Sequence, residues 1–89
     1  MARLLVQLTT TDFSQWKKGF ETGAELRSSF GALSDQVFQD ASDPNQATVL
    51  LELESLEQAR RFASSHELRE AMERSGVAGK PSFTFLNEL

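Results

Sequence analysis

Leu and Val dominate the stretch from Arg3 to Thr9, which ends in Thr9-Thr10-Thr11 and so predicts a strand leading into a helix cap. Asp12 then offers a carboxylate cap with Gln15 three residues on, and Phe13, Trp16 and Phe20 recur on one face of the helix that follows. Gly23 interrupts this stripe. Leu26 and Phe30 resume it before Gly31 supplies a stop, so the helix kinks or restarts near Gly23. From Ala32 to Asp40, Leu33 and Val37 alternate with polar neighbours, a second strand that Asp43-Pro44-Asn45 turns into a third. That third strand, Gln46 to Glu54, sets Val49, Leu51 and Leu53 against Thr48, Leu50, Glu52 and Glu54.

The period returns to helical after Ser55. Ser55 with Gln58 and Ser64 with Glu67 form two capping signatures, predicting two short helices that meet at Ser64-Ser65 and end at Gly76. Leu56, Ala59, Phe62 and Ala63 line the first, and Leu68, Ala71 and Met72 the second, while Glu57–Arg61 and Glu70–Arg74 pair on the solvent side. Lys80-Pro81 cannot extend a helix, and Ser82 to Leu86 alternates as a last strand. The resulting order, β-α-β-β-α-β, is the ferredoxin-like α+β fold: one domain over residues 1–89, an antiparallel sheet with its helices on one face. With Leu4, Val6 and Leu8 towards the helices, Arg3, Leu5 and Gln7 face away beside Leu50, Glu52 and Phe38. An apolar group on an open sheet face predicts association, with Leu5, Phe38, Leu50 and Glu52 at the interface of a homodimer.

Composition narrows the chemistry. The 89 residues contain no cysteine, which excludes disulfides, thiolate catalysis and Cys-ligated metal. A net charge of −4 without a basic cluster argues against nucleic acid, as does a third strand with two carboxylates and no aromatic ring to stack on a base. No apolar run reaches the roughly 20 residues of a membrane span, and no export signal opens the chain, so the expected compartment is the cytoplasm.

Asp12-Phe13, Trp16-Lys17, Phe20, Val37-Phe38, Asp40, Asp43-Pro44-Asn45, Val49-Leu50, Glu52, the run Glu67 to Met72, Gly76-Val77 and Pro81 together resemble the dimeric α+β barrel superfamily. The similarity is to its branch of antibiotic-biosynthesis-monooxygenase-like domains. It implies a homodimer whose two sheets close into a barrel, with a pocket in each subunit between sheet and helices. That superfamily includes cofactor-free monooxygenases, haem-degrading enzymes, polyketide cyclases and muconolactone-isomerase-like enzymes. The monooxygenase pattern has an Asn on the first strand; here that strand carries Gln7, and the chain has no Tyr.

Trp16 and Phe20 are either plain core or the floor of a ligand pocket, to which Gln7 and Phe38 would add if their strands turn them inward. Gln36 and Glu52 fit interfacial hydrogen bonding as well as ligand contact. His66, the sole histidine, and Gln7 are the candidate catalytic groups; the alternative for His66 is a solvent-facing place in the first turn of its helix. Asp35, Asp40 and Asp43 cluster around a turn where Asp before Pro is ordinary turn chemistry, so no metal is expected, and no cofactor. The expected function is binding of an apolar or aromatic small molecule by a homodimer. The alternative is a cofactor-independent monooxygenase- or cyclase-like enzyme acting on an aromatic substrate.

Overall fold

The computed structural model describes residues 1–89. Four strands, β1 (Ala2–Thr10), β2 (Ala32–Gln39), β3 (Gln46–Leu53) and β4 (Val77–Asn87), form one antiparallel sheet in the order β2-β3-β1-β4. Four helices, α1 (Phe13–Thr22), α2 (Ala24–Ser29), α3 (Leu56–Ala63) and α4 (His66–Ser75), fill the two connections. This is the ferredoxin-like arrangement, and Gly23 divides α1 from α2 as the interrupted stripe predicts.

The pleat decides which side chains meet the helices. Ala2, Leu4, Val6 and Leu8 of β1 and Ala47, Val49, Leu51 and Leu53 of β3 are buried, and they meet Trp16, Ala59 and Phe62 from the helices. Direct pairing of Leu4 with Leu51 and of Val6 with Val49 doubles the apolar surface at each step of the ladder. Thr10, also buried, meets its polar obligations by donating both backbone N–H and Oγ1 to the carbonyl of Asn45. Arg3, Leu5, Thr48, Leu50 and Glu52 lie half-buried on the opposite face, and Phe38 joins them opposite Thr48.

Three local expectations change. The second strand does not hold one phase from Leu33 to Val37: register shifts between Ala32 and Ser34, so Ala32 and Val37 pack against the core while Leu33 is 48% exposed at the irregularity. The cap of α4 is Ser65, whose hydroxyl accepts from Leu68 N–H at 3.1 Å; Ser64 instead donates back to the carbonyl of Arg60 at 2.9 Å. The last strand begins at Val77, not Ser82. Gly76 adopts φ +84°, a left-handed cap that turns the chain at once alongside β1, where its carbonyl accepts from Thr11 N–H at 3.0 Å. Val77 and Ala78 pair with Thr10 and Thr9; Gly79, Lys80 and Pro81 then bulge opposite Leu8, and pairing resumes at Ser82. A proline sits without penalty in such a bulge on an edge strand, which is why Pro81 does not mark the strand's start.

Candidate functional site

A narrow cavity lies between the core face of β1 and β3 and the four helices. Its volume is about 70 Å³, and it is partly open to solvent. Fifteen residues line it and eleven are apolar, so its walls suit an apolar body far better than a hydrated one. The aromatic wall is built by α1. Asp12 Oδ1 accepts from Gln15 N–H at 3.2 Å and starts the helix in a phase that points Phe13, Trp16 and Phe20 inward. The ring centroids of Phe13 and Trp16 are 5.6 Å apart and those of Trp16 and Phe20 5.5 Å, both pairs tilted, so the three rings brace one another. Trp16 is 3% exposed, and both Trp16 and Phe20 line the cavity. The opposite rim is α4, which contributes Leu68, Ala71, Met72 and Ser75. Gly19 lets α1 and α4 approach: a Cβ there would lie 2.8 Å from the Cβ of Ser75.

One charged side chain lines the cavity, and it is Arg27 on α2. Its exposed area is only 8%, although it lies shallowly beneath the surface. Nη1 donates to the carbonyl of Phe20 at 2.6 Å, the guanidinium carbon stands 3.7 Å above the centroid of the Phe20 ring, and Nη2 is 3.7 Å from Asp35 Oδ2. Burial pulls the Arg27 pKa down from its ordinary value while Asp35 pulls it up. Arginine starts so high that the group remains a cation. Sequence reasoning missed Arg27. The signal was present: Phe13, Trp16, Phe20, Gly23, Arg27 and Phe30 follow one another at alternating spacings of three and four, so the arginine continues the inward stripe.

The other sequence candidates lie elsewhere. Gln7 and Phe38 do not join Trp16 and Phe20 in the cavity; Val6 and Leu8 line it, so the pleat turns Gln7 to the opposite face, and Phe38, 51% exposed, shares that face. Gln36 is on the same open side, opposite Leu50. His66 is outside the cavity too. Its side chain is 72% exposed in the first turn of α4, where Nε2 pairs with Glu70. Asp40 accepts from the N–H groups of Ser42 and Asp43, and Asp43 from that of Asn45, so both shape the β2–β3 turn, whereas Asp35 faces Arg27. The interface candidates do come together: Leu5 pairs directly with Leu50, with Phe38 and Glu52 on the same face. Arg3 there reaches Glu52 at 3.4 Å and Glu88 at 3.0 Å, and the hydrogen bond to Glu88 raises its pKa.

No family model matches the chain. No curated protein matches it either. Solved structures share its architecture. A Bordetella bronchiseptica protein named as an antibiotic biosynthesis monooxygenase superposes with a TM-score of 0.83 at 12% identity, over 99% of this chain and 96% of that one. SnoaB, a cofactor-independent oxygenase from Streptomyces nogalater, gives a TM-score of 0.73 at 9% identity over 99% and 94%. A conserved protein from Methanosarcina mazei Go1 gives 0.75 at 12% identity over 99% and 92%. The fold is that of the antibiotic biosynthesis monooxygenases, in line with the resemblance seen in the sequence.

Proposed function

We propose that this protein is a homodimer that binds an apolar or aromatic small molecule in the cavity between its sheet and helices. The observation that carries the reading is the cavity wall itself, apolar on eleven of fifteen positions and braced by Trp16 and Phe20. Burying a ring or alkyl chain there gains roughly 25 cal/mol per Å² of apolar area removed from water, and few polar groups need to be desolvated for it. The open face supports the dimer: Leu5, Leu50, Phe38 and Leu86 form apolar ground between the ionic pairs of Arg3. Native mass spectrometry of protein isolated gently, set against a denaturing spectrum, tests both parts together. The expected species has twice the chain mass plus a small mass lost on denaturation. A monomer without added mass would overturn the reading.

Catalysis is the second reading, favoured by the shared architecture with SnoaB, which is a cofactor-independent oxygenase. Within this cavity the polar assistance would fall to Arg27, since Gln7 and His66 lie outside it. Oxygen uptake with electron-rich phenolic substrates, present in the wild type and lost in Arg27→Met, would favour this reading. Uptake no faster than the buffer's would exclude it for those substrates.

A further inference from the structure

We infer that the ligand of the cavity is an acid, an apolar or aromatic body carrying one carboxylate that Arg27 receives. The inference rests on the proposal that the cavity binds a small molecule, and it adds the ligand's charge. Arg27 is a cation with 92% of its surface covered, yet no anion is hydrogen-bonded to it. Its one short bond, at 2.6 Å, goes to the neutral carbonyl of Phe20. The nearest carboxylate oxygen, on Asp35, is 3.7 Å from Nη2, too long for a hydrogen bond, and that side chain is 44% exposed and screened by water. Burial disfavours the charged guanidinium, and Asp35 only partly opposes this.

Asp35 therefore neutralises Arg27 only in part, and a ligand in the cavity that Arg27 lines can supply the rest. The Phe20 ring, its centroid 3.7 Å from the guanidinium carbon, restrains a planar fork of the kind that can meet a carboxylate with two parallel hydrogen bonds. No other lining side chain is charged; of those with a polar group, Ser75 has its hydroxyl donating to the carbonyl of Met72 at 3.2 Å, and Trp16 carries a single neutral indole N–H donor. The cavity therefore offers one strong polar contact at one place. The chain as a whole carries −4 and repels anions, so any preference for an acid must originate at this arginine.

Isothermal titration with benzoate and with its uncharged amide, benzamide, tests the inference on the whole 89-residue chain. The acid should bind at least about tenfold more tightly than the amide, the scale of a charge-assisted pair over a neutral one. Arg27→Met, which keeps most of the side-chain volume, should remove that preference by weakening the acid's binding at least about tenfold more than the amide's. Asp35→Asn, a change at a half-exposed edge position, should raise the preference several-fold by removing the competing carboxylate. Acid and amide binding alike in the wild type would overturn the inference while the cavity reading stands, as would a preference that survives Arg27→Met. Should Arg27→Met fail to fold, Asp35→Asn decides, and an unchanged or reduced preference overturns the inference. If neither compound binds, both the inference and the cavity reading fall.

Discussion

Trp16 and Gly19 occupy adjoining turns of α1 and constrain the cavity in opposite ways, one by filling space and the other by leaving it. Trp16→Ala removes a ring packed between two others and should cost about 3–5 kcal/mol, read as a lower midpoint in urea unfolding followed by circular dichroism. Gly19→Ala sets two effects against each other. Alanine gains about 1 kcal/mol of helix propensity, but its Cβ would sit 2.8 Å from that of Ser75, and relieving such overpacking costs about 1–3 kcal/mol. The clash should win, giving a net loss of stability, and the paired change Gly19→Ala with Ser75→Gly should restore it. A Gly19→Ala protein as stable as the parent would show that α1 and α4 slide apart freely. At this scale the sequence was readable where residues are apolar, as with Trp16 and Phe20, and misleading where they are polar. Gln7 and Arg27 are both polar residues in apolar patterns, but strand pleating sends the first outward and helical spacing brings the second inward.

Helix ends and strand registers set how firmly each element holds. Ser65→Ala removes the acceptor of the Leu68 N–H and should cost about 1 kcal/mol, whereas Ser64→Ala, at a residue that only bonds back to its own helix, should cost clearly less. Thermal unfolding of the two variants side by side checks the order. Among the helices α4 alone has no fully buried residue, while α1 and α3 anchor through Trp16 and through Ala59 with Phe62. Its amides should therefore exchange with deuterium sooner than those of β1 and β3, and a ligand in the cavity should slow them. β1 and β3 were legible from hydropathy because each has one dry face and one half-covered face, which the period of two reports directly. β2 and β4 were legible only in part. Register shifts at Ala32/Ser34 and around Gly79-Lys80-Pro81 change the phase without altering the apolar content, and a residue pattern carries no mark of that.

Taken whole, the molecule has one face of its sheet under helices and the other partly apolar and uncovered. Leu50→Glu would set a carboxylate beside Leu5 and close to Glu52 in the proposed dimer face, where an unpaired charge costs several kcal/mol. Sedimentation should show a folded monomer, or a dimer dissociating at far higher concentration. An unaltered dimer would mean that the subunits meet elsewhere. The margins of the sheet tell a different story from its faces. Along β4, Gly79, Lys80 and Pro81 swell out opposite Leu8, and along β2 the irregularity at Leu33 precedes the charged Asp35. Neither border presents an unbroken row of amide donors and acceptors for a stranger's strand to lock onto. Growth into fibrils is thereby discouraged at both ends of the sheet, so a chain that leaves apolar residues uncovered on a flat surface can remain a discrete particle in a crowded solution.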